Sequence, residues 1–145
     1  MNTVLVLNGP NLGRLGSREP EVYGRLDHAG LSGRIEDWAR ELGLQAQVRQ
    51  SDDEATLMGW LHEAVDSGSD VVLNPAAFTH YSYALRDAAA QVTTAGLRLV
   101  EVHLTNPATR ERFRHRSVIA GVATGTVAGF GAHSYRLALQ ALATE

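Results

Sequence analysis

The sequence predicts a doubly wound α/β fold, and three observations support this prediction. Five short apolar or β-branched segments alternate along the chain with segments in which apolar residues recur at helical spacing. Val4–Leu7 is entirely apolar and Asp70–Asn74 is apolar at its three central positions, as is typical of parallel strands covered on both faces. The chain has 145 residues and no evident linker or repeat, so we expect one domain over residues 1–145.

The first half of the chain is predicted to hold three strands and two helices. Strand one spans Val4–Leu7, and Asp27 is a suitable cap for the first helix. Leu44–Gln50 alternates apolar and polar residues, which predicts a second strand near an edge of the sheet. The second helix follows the capping run 51–54, and Asp70–Asn74 forms the third strand.

The second half continues the alternation. Residues 75–80 turn into a third helix, whose candidate packing positions are Tyr83, Leu85, Ala88, Ala89 and Val92. Leu97–Leu104 is predicted to be the fourth strand, and Thr109–Arg114 a short helical turn. The fifth strand runs roughly from Val122 to Val127. The last helix follows the turn 129–131 and carries three apolar-face residues, Tyr135, Leu139 and Leu142.

These elements fit a flavodoxin-like sheet of strand order 2-1-3-4-5 in a three-layer α/β/α arrangement. In such sheets, ligands bind beyond the carboxyl ends of the strands, near the switch between strands one and three. Polar side chains follow three of the strands: Asn8 and Asn11, Asn74, and Glu101 and His103. We therefore expect these side chains to converge on one crevice.

The connection after strand one is unusually long for a strand-to-helix loop. Its part from about residue 12 to 24 has the glycines expected of an active-site lid, and it carries Arg18 and Tyr23. A free phenol has a pKa of about 10. A guanidinium beside it favours the phenolate, so the pair suits a general base. The alternative is a surface loop with scattered polar groups.

Glu101 and His103 are two residues apart on a strand, so their side chains share one side of the sheet. His103 is therefore a candidate proton donor that Glu101 orients. In another interpretation, Glu101 is a strand-edge charge and His103 a structural core histidine. A zinc site with His80 is less favoured, because the chain has no closely spaced pair of histidine ligands.

Composition excludes several classes of chemistry. The chain has no cysteine, so thiol nucleophiles and disulfides are absent. It has no lysine, which excludes a lysine Schiff base, lysine-linked pyridoxal phosphate and the P-loop. The net charge of -3 argues against a general nucleic-acid or anionic-membrane binder. No apolar run reaches membrane-spanning length and the start does not read as a signal peptide, so we expect a cytoplasmic protein.

Two further motifs carry residues of possible functional types. Gly129 and Gly131 form part of a dinucleotide fingerprint, but the third glycine is missing, so tight strand-to-helix packing is favoured. Four arginines crowd one short segment at alternate positions, Arg110, Arg112, Arg114 and Arg116. Most are expected to be solvated, and one facing the crevice would suit hydroxyl or carboxylate binding. Spacing alone leaves open which one.

Residues 5–24, LVLNGPNLGRLGSREPEVYG, closely resemble the N-terminal signature of the type II 3-dehydroquinate dehydratases. The resemblance continues in the same order over the rest of the chain, through residues 50–52, 74–80, 84–87, 101–104 and 113–117. It implies the flavodoxin-like fold that the alternation of elements also predicts.

The resemblance implies a hydro-lyase that converts 3-dehydroquinate to 3-dehydroshikimate by anti elimination, with neither a metal nor an organic cofactor. Tyr23 would be the base that removes a proton beside the ketone, and Arg18 would lower its pKa. Asn11 would position a water that holds the resulting enolate. His103, supported by Glu101, would protonate the leaving hydroxyl.

The resemblance also implies how the substrate is held. The carboxylate would bind Asn74 and the backbone amides of Leu104 and Thr105, and the ring hydroxyls would bind His80 and Arg114. Asp87 is expected to reach the site of a neighbouring subunit, because the family assembles as trimers grouped into a homododecamer. No nucleic acid or membrane partner is expected.

This chain departs from the family pattern in three places. Residues 75–77 are Pro-Ala-Ala where glycine is common, Thr105 replaces serine, and Tyr81 and Tyr83 are bulkier than the usual residues. The role of Arg14 stays open, as does the choice between the shikimate pathway of aromatic biosynthesis and quinate breakdown. A non-catalytic small-molecule binding module of the same fold is the alternative from another class.

Overall fold

The computed structural model describes residues 2–17 and 26–144. Its strands are β1 (Asn2–Asn8), β2 (Leu44–Gln50), β3 (Asp70–Asn74), β4 (Leu99–His103) and β5 (Gly125–Ala128). Its α-helices are α1 (His28–Glu41), α2 (Glu54–Ser67), α3 (Tyr83–Thr94) and α4 (His133–Ala143). The strands form one parallel sheet in the order β2-β1-β3-β4-β5, which confirms the predicted doubly wound topology.

Three of the helices begin at side chains that cap them. Asp27, Asp53 and Ser82 each accept a hydrogen bond from the backbone N–H three residues later, at 2.7, 3.2 and 3.0 Å. Such caps satisfy amide groups that the first turn of a helix leaves without partners. The predicted starts of the first two helices are therefore confirmed. Within the two described ranges, no helix has both the length and the apolar composition of a membrane span.

The apolar strands contribute to a core on each face of the sheet. Along β1, Val4 and Val6 face the layer of α1 and α4, while Leu5 and Leu7 face the layer of α2 and α3. Because successive side chains point to opposite faces, a central strand must be apolar at every position. This explains the uninterrupted run Val4–Leu7, all of it buried.

The ends of the last two strands differ from the prediction. The fourth strand begins at Leu99 rather than Leu97, because the Leu97 N–H donates to the Val92 carbonyl at 3.2 Å and closes helix α3. The fifth begins at Gly125, because Ala120–Val122 forms a short 3₁₀ helix. The predicted turn at 109–114 is instead split between two 3₁₀ helices, Pro107–Thr109 and Arg112–His115.

Tyr83 was predicted to pack in the core, and this prediction is wrong. It is the first residue of α3, and its side chain is 69% exposed. The other four predicted packing positions of this helix are all buried, Leu85, Ala88, Ala89 and Val92.

The carboxyl ends of β1 and β3 lie side by side, with Asn8 paired to Asn74. Beyond this pair the backbones stay in contact, since the Gly9 N–H donates to the Asn74 carbonyl at 2.8 Å. A Cβ atom at residue 9 would lie only 2.9 Å from the Pro75 carbonyl oxygen. Glycine at this position therefore permits the close approach that shapes the end of the sheet.

Candidate active site

A crevice opens beyond the carboxyl ends of β1, β3 and β4, where the fold predicts a ligand site. Seven residues that the sequence assigns to the site line it: Asn11, Asn74, His80, His103, Leu104, Thr105 and Arg114. The structure thus brings together residues from four separate segments of the chain. Their roles stay predictions.

His103 is held from behind by Glu101. The ring Nε2 lies 2.5 Å from Glu101 Oε2, and because a carboxylate only accepts, Nε2–H is the donor. The Glu101 side chain is fully buried, whereas His103 is 12% exposed and lines the crevice. This geometry leaves the other ring nitrogen, Nδ1, for a ligand. Across the described ranges, no group of three or more His, Cys, Asp and Glu side chains could hold a metal ion.

Two hydroxyl groups complete the environment of the buried carboxylate. Thr79 Oγ1 donates to Glu101 Oε2 at 2.6 Å, and Ser117 Oγ donates to Oε1 at 2.9 Å. Ser117 Oγ also accepts from the backbone N–H groups of Ile119 and Ala120, at 3.1 and 3.0 Å. Sequence reasoning gave Thr79 and Ser117 no role, because no local pattern shows that they meet Glu101.

These contacts keep Glu101 ionised. Burial alone would raise the pKa of this carboxyl, because a charge is poorly solvated inside the protein. Hydrogen bonding and charge attraction from His103, with the hydrogen bonds from Thr79 and Ser117, outweigh that effect and hold the pKa of Glu101 below its usual range. The carboxylate is therefore available at neutral pH to orient the imidazole and stabilise its charged form.

The turn after β3 forms another wall of the crevice. Asn74 Oδ1 accepts from the Ala76 N–H at 3.1 Å, and Asn74 Nδ2 donates to the Tyr135 hydroxyl at 2.9 Å. Ala76 has a φ of 50°, in the left-handed region that favours glycine. The alanine that replaces a common family glycine thus stands at a position where the backbone itself favours glycine.

His80 and Arg114 line the crevice, and both contact the segment 113–116. His80 Nδ1 lies 2.8 Å from the Arg116 carbonyl oxygen, so Nδ1–H must donate and Nε2 is left for a ligand. The exposed Phe113 ring packs edge-on against His80 at 5.8 Å. The Arg114 guanidinium lies 4.6 Å from the Phe113 ring centre and donates to Glu111 at 2.8 Å.

The structure settles which arginines of the cluster reach the crevice. Arg110 and Arg114 line it, while Arg112 and Arg116 are exposed elsewhere. Sequence reasoning selected Arg114 only through the family resemblance and missed Arg110. The alternate spacing of the four residues gave no signal that would distinguish them.

The first loop is anchored where it leaves the sheet. Asn11 has a φ of 70°, and its backbone N–H donates to Asp52 Oδ1 at 2.9 Å. Gln50 Nε2 donates to the same oxygen at 3.0 Å and to the Gly9 carbonyl at 3.1 Å. The residues at the end of β2 therefore fix the backbone of the loop at Gly9 and Asn11.

Some predicted residues lie away from the crevice. Asn8 was expected to face it, and this is wrong, because its side chain is fully buried and bonded to other side chains beneath the crevice. Asp87 lies in a separate surface depression with Tyr83. Arg18 and Tyr23 lie outside the described residues, so their placement stays a prediction.

Comparisons with known proteins agree over almost the whole chain. The family model described as dehydroquinase class II matches residues 2–143. A 3-dehydroquinate dehydratase of Salinispora tropica is 57% identical over 142 residues, which are 98% of this chain and 97% of that relative. The corresponding protein of Kineococcus radiotolerans is 53% identical over 140 residues, covering 97% and 94%.

Solved structures give the same result. The crystal structure of a type II dehydroquinase from Propionibacterium acnes matches with a TM-score of 0.96 and 50% identity, covering 100% of this chain and 98% of that one. A type II dehydroquinase from Butyrivibrio crossotus matches with a TM-score of 0.93 and 39% identity, covering 97% of each chain. The similarity therefore includes every segment that lines the crevice.

Proposed function

The chain belongs to the class II dehydroquinase family, and on that premise we propose that it dehydrates 3-dehydroquinate to 3-dehydroshikimate. The observation that carries the proposal is the His103–Glu101 pair, in which a buried carboxylate holds an imidazole at the edge of a polar crevice. Loss of a hydroxyl group as water needs an acid at the leaving oxygen, and this pair suits that task.

The proton balance of the elimination follows from the pair. A protonated His103 donates Nε2–H to Glu101 and presents Nδ1–H to the leaving hydroxyl. As the carbon–oxygen bond breaks, the oxygen takes the Nδ1 proton and leaves as water. The negative charge of Glu101 stabilises the imidazolium before transfer and fixes its orientation.

The base in this proposal is Tyr23, which removes a proton from the carbon next to the ketone. Arg18 favours the phenolate form by its positive charge. The electrons of the broken C–H bond form an enolate, whose oxygen is held by a water that Asn11 positions. Collapse of the enolate then expels the hydroxyl group toward His103.

The remaining lining residues hold the substrate. We assign the carboxylate to Asn74 and to the backbone amides of Leu104 and Thr105, which follow β4 directly. His80, with Nε2 available, and Arg114 would bind ring hydroxyls. Arg110 lines the same wall and extends the positive charge of this part of the crevice.

We further propose a homododecamer built of trimers, in which Asp87 contributes to the site of a neighbouring subunit. Asp87 lies outside the crevice of its own chain, beside the exposed Tyr83. Light scattering should give the mass of twelve chains. A monomeric mass at assay concentration would contradict this assembly.

We place the reaction in the shikimate pathway of the cytoplasm. A bacterial strain that lacks its own 3-dehydroquinate dehydratase should grow without aromatic supplements when it expresses this chain. Failure to grow, despite turnover by the purified protein, would contradict the biosynthetic role and leave the reaction intact.

The assay for the reaction is the rise of conjugated-enone absorbance when purified protein meets 3-dehydroquinate. We expect turnover without added cofactor and after treatment with a chelator. Tyr23→Phe should abolish turnover while substrate still binds, because only the ionisable oxygen is lost. Tyr81→Phe, at an exposed tyrosine, is the matched control and should keep full activity. No product at high enzyme concentration would contradict the proposed function.

A further inference from the structure

We infer that Tyr135 is a positioning residue that sets the orientation of the Asn74 amide at the crevice. The inference rests on the proposed function, in which Asn74 binds the substrate carboxylate. Tyr135 lies on α4, far from Asn74 in the sequence, and is fully buried beneath the crevice.

The Tyr135 hydroxyl joins two asparagines that end neighbouring strands. It donates to Asn8 Oδ1 at 2.7 Å and accepts from Asn74 Nδ2 at 2.9 Å. A phenol has one hydrogen, so donation to Asn8 leaves only a lone pair for Asn74. Asn74 must therefore present its nitrogen, and not its oxygen, to Tyr135.

The direction of these bonds is fixed at the Asn74 end, where a backbone N–H is the donor, and it matches one tautomer of His28 at the other end. Beyond Asn8, the amide Nδ2 donates to His28 Nε2 at 3.1 Å, which uses that ring nitrogen as an acceptor. Beyond Asn74, the amide Oδ1 accepts from the Ala76 N–H at 3.1 Å. A reversed Asn74 amide would place two donors face to face at Ala76, so one orientation satisfies every partner.

Burial reinforces this arrangement. Removal from water raises the pKa of the Tyr135 hydroxyl far above its ordinary value, although the hydrogen bond from Asn74 opposes the shift. The hydroxyl therefore keeps its proton and its donation to Asn8 at every pH at which the enzyme is assayed. The chain of neutral groups holds Asn74 without any change of charge.

These bonds determine which hydrogen-bonding group of Asn74 remains for a ligand in the crevice. Its oxygen is engaged by Ala76, and one of its two Nδ2 hydrogens is engaged by Tyr135. The second Nδ2 hydrogen is then the group that meets a carboxylate. Loss of the phenol oxygen would leave Asn74 Nδ2 without its acceptor and Asn8 Oδ1 without its donor, and the Ala76 N–H alone would then hold the Asn74 amide.

The test is a double-mutant cycle on kcat/KM for 3-dehydroquinate. Tyr135→Phe should lower kcat/KM about tenfold, chiefly through a higher KM. In an Asn74→Ala background the same substitution should change kcat/KM less than twofold, because the group it positions is gone. An equal loss in both backgrounds would overturn the inference.

A matched control separates positioning from loss of stability. Val92→Ala removes methyl groups from the core on the opposite face of the sheet and should lower the thermal midpoint without raising KM. A rise in KM for Val92→Ala equal to that for Tyr135→Phe would also overturn the inference. No turnover by the unsubstituted chain would instead contradict the proposed function.

A second variant covers the case in which Tyr135→Phe does not fold. Asn8→Leu removes the acceptor of the Tyr135 hydroxyl and frees that hydroxyl to turn toward Asn74. Asn8→Leu should raise KM in the native background and leave KM unchanged in an Asn74→Ala background. A KM unchanged by Asn8→Leu in the native background would contradict the inference.

Discussion

Two buried networks support the crevice, one behind His103 and one behind Asn74, and they differ in charge. Behind His103, an ionised carboxylate collects hydrogen bonds from an imidazole and two hydroxyl groups. Behind Asn74, a phenol and a second amide form a neutral chain. A charged network stabilises a particular proton position, whereas a neutral one fixes shape and direction. We therefore expect the first to govern kcat and the second to govern KM.

The largest effect should come from removing the charge of the first network. Glu101→Gln keeps the side-chain shape but cannot stabilise an imidazolium, so kcat should fall about 100-fold or more while KM changes little. Steady-state kinetics with 3-dehydroquinate measure both constants. Glu63→Gln, at a half-exposed carboxylate paired with Arg49, is the control and should leave both constants unchanged. A full kcat in Glu101→Gln would remove the carboxylate from proton delivery.

The neutral network behind Asn74 should respond to a change in the shape of the neighbouring turn. Gly9→Ala would place a Cβ atom 2.9 Å from the Pro75 carbonyl oxygen and push the turn that carries Asn74. We expect KM to rise about tenfold with a smaller change in kcat, because displaced binding groups lose their alignment. Gly33→Ala is the matched control, since an added Cβ there has no neighbour within 4 Å. Unchanged KM in Gly9→Ala would show that the turn tolerates displacement.

A smaller effect should distinguish the networks by their response to acid. Because the pKa of Glu101 is lower in the folded state, its contribution to stability is full above its unfolded pKa of about 4.3. That contribution is lost as the pH falls through the folded pKa. Thr79→Val removes one donor, so the free energy of unfolding at pH 7 should fall by about 1.5–3 kcal/mol.

The loss in Thr79→Val should shrink as the pH falls through the folded pKa of Glu101, because the carboxyl then becomes protonated in either protein. Thr93→Val provides the comparison, because Thr93 donates to a neutral carbonyl at 2.9 Å. Its loss of stability should not depend on pH. Urea unfolding at several pH values measures both variants, and parallel pH curves would contradict the charged character of the first network.

The smallest effect concerns the turn after β3. Ala76→Gly places glycine where φ is 50° and should raise the free energy of unfolding by about 0.5–1 kcal/mol. Ala77→Gly, one residue later and without a positive φ, should lower it by a similar amount. Thermal unfolding measures both. A destabilised Ala76→Gly variant would mean that the alanine methyl group contributes more by packing than its backbone conformation costs.

Much of the fold was predictable because its signals are local. The capping groups at Asp27 and Asp53 and the alternation of Leu44–Gln50 depend on neighbouring residues, and these elements lie where they were predicted. The starts of β4 and β5 were not, because the bond that closes α3 at Leu97 and the 3₁₀ helix Ala120–Val122 have no clear sequence signal, and hydrogen bonds between distant segments also contribute. The bond from the Thr124 N–H to the Leu99 carbonyl at 2.7 Å is one example.

The site likewise has residues that the sequence predicts and residues that it does not. The period of a strand brings Glu101 beside His103, and the rule for strand ends places Asn74 at the same crevice. The supporting residues Thr79 and Tyr135 have no such signal, because they meet their partners only after the sheet and helices have packed. Their contacts span 22 and 61 residues of sequence, respectively.

The most direct test of the division between the networks is to measure kcat and KM of Glu101→Gln and Gly9→Ala side by side, with 3-dehydroquinate at one pH. We expect Glu101→Gln to lose kcat with KM within about threefold of the unsubstituted enzyme. Gly9→Ala should show the reverse, a raised KM with kcat within about threefold. If both substitutions changed the same constant, the two networks would not have separate roles.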